Sequence, residues 1–110
     1  MKTNKLIHLG SRTRIMPSDI LMLKADINYT IVILNDGSKI ISSTTMGIIE
    51  KRLENYHFFR PNRSVILNME YVVDYEEKKQ SGSFGNILLI NNEKVPLSRR
   101  KSEAFFKIFQ

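Results

Sequence analysis

The side chains in this chain that could do chemistry are mainly cations. Arg60, Asn62, Arg63 and Ser64 form one group, and Ser98, Arg99, Arg100 and Lys101 form another. A guanidinium is a planar fork that can grip a phosphate, or the O6/N7 edge of guanine, through two parallel hydrogen bonds. The amide of Asn62 could do the same to adenine. Ser98 at a helix start would add backbone N–H groups that favour an anion. Solvated surface charge is the competing account of any arginine pair. Here each basic group abuts a strong packing element, which would hold it in place. Phe58-Phe59 and Val65-Ile66-Leu67 flank the first group, and Phe105 follows the second. Binding is therefore the expectation.

Other chemistries find little support. His8 and His57 are the only histidines, and neither has a partner at metal-ligand spacing. There is no nucleophile-elbow serine and no phosphate-cradling glycine loop. Paired carboxylates occur only as Glu76-Glu77, in a charged tip poorly suited to holding an acid–base pair. Neither enzyme activity nor a metal or other cofactor is expected. With no cysteines, thiol catalysis and a disulfide framework are excluded, which suits a reducing cytoplasmic setting. No apolar run is long enough to span a bilayer, so no membrane insertion is expected.

The chain has 110 residues, 42% of them hydrophobic and 25% charged, which fits one domain spanning residues 1–110 with a real core. Its net charge of +6 favours a polyanion, nucleic acid before membrane surface. That charge comes in blocks. Lys2, Lys5, Arg12 and Arg14 stand in the first 18 residues without an acid. Arg60 and Arg63 form the second block. Arg99, Arg100, Lys101 and Lys107 against Glu103 form the third. Acidic stretches separate them. Folding could bring the blocks onto one face, but the sequence alone does not show that it does.

The elements that must position these groups are mostly strands. Short strands are expected over 5–9 and 12–16 with a turn at Gly10-Ser11, and a buried one over 20–23. Residues 24–28 read as a loop. Strands 29–34 and 39–42 flank Asp36-Gly37, a strong hairpin signal because glycine accepts the positive φ of the turn. Met46, Ile49 and Leu53 lie on one helical face within 44–55, with Thr44 or Thr45 as N-cap. A basic, proline-stiffened turn at residues 60–63 leads into a strand over 64–68. Residues 71–75 read as another strand, 76–85 as a mobile tip, and 86–90 and 94–97 as a closing pair around Asn91-Asn92. A last helix over 99–109 would bury Ala104, Phe105, Ile108 and Phe109. The sum is a mostly β domain of antiparallel hairpins with two short helices, a sandwich or a partly open barrel.

Two motifs carry a family resemblance. The stretch Phe58-Phe59-Arg60-Pro61-Asn62-Arg63-Ser64-Val65-Ile66-Leu67-Asn68 resembles the central motif of the LytTR DNA-binding domain. Val95-Pro96-Leu97-Ser98-Arg99-Arg100 resembles its C-terminal motif. Asp19-Ile20-Leu21, the Asp36-Gly37 hairpin and the helix ending Ile49-Glu50-Lys51-Arg52-Leu53 follow in the family's order, so the resemblance covers about residues 5–109. It implies an elongated arrangement of antiparallel β-sheets with little helix. It also implies sequence-specific binding of double-stranded promoter DNA by a bacterial transcriptional regulator, with loops entering successive major grooves at short direct repeats. The reading loops it implies are Asn28-Tyr29, Asn62-Arg63 and Arg99-Arg100. Ser64 and Ser98 would contact phosphate or fix the loops, and Arg60 would do either. Implied partners are a second copy on the adjacent repeat and, in a full-length response regulator of a two-component system, an N-terminal receiver domain. No receiver precedes these residues, so the chain is expected to be either a fragment of such a regulator or a stand-alone one. Two alternatives remain on the residues alone: a β-barrel RNA or single-strand binder, which would need exposed aromatic platforms, and a protein-interaction module.

Overall fold

The computed structural model describes residues 5–10, 12–80 and 83–109. Its strands are β1 (Ile7–His8), β2 (Arg14–Ile15), β3 (Ile20–Asp26), β4 (Tyr29–Leu34), β5 (Lys39–Ser42), β6 (Phe58–Asn62), β7 (Val65–Asn68), β8 (Val72–Gln80), β9 (Ser83–Leu89) and β10 (Lys94–Ser98). The helices are α1 (Met46–Arg52) and α2 (Arg99–Ile108), with single 3-10 turns at Pro17–Asp19 and Met69–Tyr71. Every strand pairing is antiparallel. The described chain is thus the mostly β, two-helix domain expected. It extends 41 Å along its longest axis and 23 Å along its shortest.

The central layer is a five-stranded sheet in the order β5-β4-β3-β7-β6. It is covered on both faces, which is why its inner strands read as unbroken apolar runs. Leu21, Met22, Ile33, Val65 and Leu67 meet the three-stranded sheet β10-β9-β8 and Phe105 of α2. On the opposite face Ile20, Leu23, Val32 and Ile66 meet α1 through Met46, Ile49 and Leu53, and the β1-β2 ribbon through Ile7 and Leu9. Asn68 ends the central apolar run and is 2% exposed. Its amide donates to the Ile20 carbonyl at 2.9 Å, and its Oδ1 accepts the Glu70 N–H at 3.0 Å. A buried polar side chain without such partners would cost about 1–3 kcal/mol.

Local expectations change in five places. Residues 24–28 are not a loop. β3 continues through Asp26, held by β4 on one side and β7 on the other, so the turn shrinks to Ile27-Asn28. The basic segment at 60–63 is mostly strand: β6 ends at Asn62, and the turn is Arg63-Ser64. Pro61 fits because β6 is an edge strand and Pro61 falls in a register shift, where a missing N–H breaks no ladder bond. The tip at 76–85 is largely taken up by β8 and β9. α1 has seven residues, fewer than expected, and Thr45 at its N-cap makes no side-chain cap bond. In α2, Phe105 is buried and Phe109 half-buried, but Ala104 and Ile108 are exposed. The buried face keeps Phe105 and Phe109 but turns toward half-buried Lys101 and Ser102. Lys2, Ser11, Ser81 and Gly82 lie outside the described residues.

Candidate nucleic-acid interface

The turns that carry the candidate residues lie at one end of the central sheet. β3 and β7 are antiparallel partners, so the β3–β4 turn and the β6–β7 turn emerge side by side. Lys24 is opposite Val65, and the Ala25 N–H donates to the Ser64 carbonyl at 2.8 Å. Beyond that bond β3 runs on to Asp26, so the Ile27-Asn28 tip projects past Arg63-Ser64 by roughly 7 Å at the rise of a strand. Asn28 has a φ of 64°, a left-handed conformation that asparagine tolerates better than most residues. Tyr29, next in the chain, is 52% exposed, and Ile27 at the apex is 83% exposed.

The second turn is fixed by its own side chains. Asn62 Oδ1 accepts the Ser64 N–H at 2.9 Å, and Asn62 Nδ2 donates to the Pro96 carbonyl at 2.8 Å. The amide thus folds the turn and ties it to β10. Arg60 Nη2 donates to the Arg63 carbonyl at 2.7 Å, and Nη1 meets Glu50 Oε1 of α1 at 2.9 Å. Arg63 and Ser64 themselves are exposed.

The third element is the start of α2. Phe105 pins the helix against β6, with its ring 5.8 Å from that of Phe59 and 5.2 Å from that of Phe109. This places Ser98, Arg100 and Lys101 opposite the second turn. Ser98 occupies the N-cap position with extended backbone but makes no side-chain cap bond. It lines the gap between the helix start and the second turn.

Between these elements is a cleft of about 560 Å³, lined by Glu50, Arg60, Asn62, Arg63, Ser64, Ser98, Arg100 and Lys101. It holds four cations and one carboxylate, and that carboxylate is already paired with Arg60. None of its lining residues is aromatic. Six of the nine expected site residues meet here: Arg60, Asn62, Arg63, Ser64, Ser98 and Arg100. Asn28 and Tyr29 stand apart on the projecting tip. Arg99 is exposed but outside the lining, its carbonyl accepting the Ser102 hydroxyl at 2.8 Å. Lys101, already in the second basic group, adds a cation. Sequence reasoning left two contributors off the candidate site. Glu50 orients Arg60. Ile27 is the apex of the tip; its sequence signal was a lone isoleucine in a polar stretch. Among the described residues no His, Cys, Asp or Glu group could hold a metal ion. No described helix is long and apolar enough to cross a membrane.

Comparison with known proteins bears on the family and the fold. No curated protein matches the chain. Among solved structures it is similar to the LytTr DNA-binding domain of a Bacillus cereus protein described as a methyl-accepting/DNA response regulator. The TM-score is 0.75 at 21% identity over 94% of each chain, a likeness of fold. Residues 10–110 match the LytTr DNA-binding domain family, and the chain belongs to that family.

Proposed function

We propose that this domain reads promoter DNA sequence-specifically, with three neighbouring loops entering successive major grooves of a duplex at short direct repeats. Its family is one of DNA-binding domains. The observation that carries the finer reading is the common edge shared by the Ile27-Asn28 tip, the Arg63-Ser64 turn and the start of α2. The tip and the turn stand two strand steps apart, roughly 10 Å at strand spacing, and the start of α2 faces the turn across the cleft.

The roles divide by how far each side chain is already engaged. Arg63 and Arg100 project from fixed backbone and are the base or phosphate contacts of the cleft. Lys101 supplies charge. Ser64 and Ser98 offer hydroxyl and N–H groups to phosphate. Arg60 and Asn62 brace the turn, because each already makes two hydrogen bonds within the protein. Asn28 and Tyr29 position the tip, and Ile27 and Tyr29 give it an apolar surface suited to thymine methyl groups. Arg100 rather than Arg99 is the cleft arginine. A second copy would occupy the adjacent repeat, and a receiver domain would act through this one in a full-length regulator.

Single-strand or RNA binding is disfavoured, since it needs aromatic platforms along a basic groove and the cleft lining has none. The test is selection from a random duplex library, followed by competition. Enrichment of a short motif repeated about one helical turn apart, displaced by duplex but not by single-stranded RNA, is the expected result. No enrichment, or equal displacement by RNA, would overturn the proposal.

A further inference from the structure

The first charge block takes no part in the three loops, yet the fold carries one of its members, Arg12, to the same end of the sheet. The turn between β1 and β2 is fastened to the end of β5. The Leu9 carbonyl accepts the hydroxyl of Ser42, and the Thr44 hydroxyl at 3.4 Å. Ser42 is paired with Thr30 across β4 and β5, and Thr30 Oγ1 donates to the Thr44 carbonyl at 2.8 Å. Thr30 is adjacent to Tyr29 of the projecting tip. Thr30 and Ser42 are 0% and 3% exposed, so the junction is a built one. The turn also sits too close for a larger residue. A Cβ on Gly10, whose φ is +89°, would lie 2.5 Å from Thr44 Oγ1.

Arg12 is exposed in this turn at a φ of 66°. Asn28 and Asn92 share that left-handed region, which asparagine enters readily. Arginine does not, and glycine would sit there without strain. A long cationic side chain held where backbone chemistry favours glycine points to a use for the side chain. The turn lies across the projecting tip from the cleft, so its charge extends the row of loops at the far side.

We propose that Arg12 makes the β1–β2 turn a fourth DNA-contacting element, gripping a backbone phosphate beyond the segment read by the other three. This rests on the loop end of the sheet being the DNA face. The contact adds affinity without sequence information.

The test is binding of Arg12→Gly, across a salt series, to a duplex obtained by selection and to its scrambled counterpart. Losing one phosphate contact lowers the slope of log affinity against log salt by about one. The wild-type advantage should therefore shrink roughly threefold between about 50 and about 200 mM salt, alike on both duplexes. Thermal melting should be unchanged or raised, because glycine relieves the backbone. Lys39→Ala removes the same charge from the opposite end of β5 and should keep the wild-type slope. A wild-type slope for Arg12→Gly, a loss confined to the selected duplex, or an equal change in Lys39→Ala would each overturn the proposal. If Arg63→Ala weakens binding while Arg12→Gly does not, only the fourth contact falls. Failure of the wild type to bind duplex sinks the DNA face and this contact together.

Discussion

Arg60 donates to the backbone carbonyl of Arg63 at 2.7 Å, so one arginine of the pair is spent holding the turn from which the other projects. The two should therefore separate on substitution. Arg63→Ala should leave stability within about 0.5 kcal/mol, as for an exposed residue. It should cost about 1–3 kcal/mol of binding and relax preference at one base step. Arg60→Ala removes two hydrogen bonds, one of them to Glu50 at 2.9 Å, and should cost roughly 1 kcal/mol of stability. Denaturant melts alongside titrations on selected and scrambled duplexes check this. Equal stability loss in both variants would show that the division of labour is wrong.

Asn62 offers a sharper case because both ends of its amide are engaged. Asn62→Asp keeps the oxygen that accepts the Ser64 N–H but loses the donor to the Pro96 carbonyl. It sets a carboxylate against a carbonyl inside a basic cleft. Binding should fall on every duplex, more than for Asn62→Ala, because the new charge repels phosphate. If Asn62→Ala instead changed which base is preferred at one position and left overall affinity intact, Asn62 would be a reader and not a brace.

Ile27 makes a prediction that needs no folding control beyond a melt. Its side chain is 83% exposed, so Ile27→Ser should barely alter stability. If the tip meets thymine methyl groups, replacing thymine by uracil in the selected duplex should weaken the wild type at one or two positions. The variant should be indifferent at those same positions. Uracil substitution that weakens both proteins equally would remove Ile27 from the interface.

What could be read in advance follows the range of the forces involved. The Asp36-Gly37 hairpin is set by local turn chemistry. The Ser38 hydroxyl and N–H also hold the Asp36 carboxyl below its ordinary range. α2 was legible because Phe105 and its neighbours repeat at helical spacing, though the buried face turns away from Ala104 and Ile108. The extension of β3 was not legible. Residues 24–26 are mostly polar, and their extended form comes from pairing with β4 and β7. The Asn62–Pro96 hydrogen bond was not legible for the same reason, since its partners lie 34 residues apart. The charge blocks could be counted, but the meeting of Arg60 and Arg63 with Arg100 and Lys101 depends on tertiary packing, which no local pattern encodes.

Tyr75 supplies a pH-dependent test of the packing that holds α2 in place. Its ring lies 5.7 Å from Phe105 and 5.0 Å from Phe106, and its hydroxyl donates to the Phe84 carbonyl at 2.9 Å. Burial, and secondarily the charge of Glu77, raises the phenol above its usual value of 10.0. A group whose folded value is raised favours its protonated form in the folded state. Its contribution is fully present below the unfolded value and declines as pH rises from there through the folded value. At pH 7, Tyr75→Phe should lose the hydrogen bond and roughly 1 kcal/mol. Above about pH 10 the wild-type advantage should narrow, since only the wild type must ionise a phenol disfavoured by the fold. Other alkaline titrations are common to both proteins and cancel in the difference. Urea denaturation of the pair at neutral and alkaline pH measures it, and a constant difference across that range would show that the Tyr75 hydroxyl does not sense its burial.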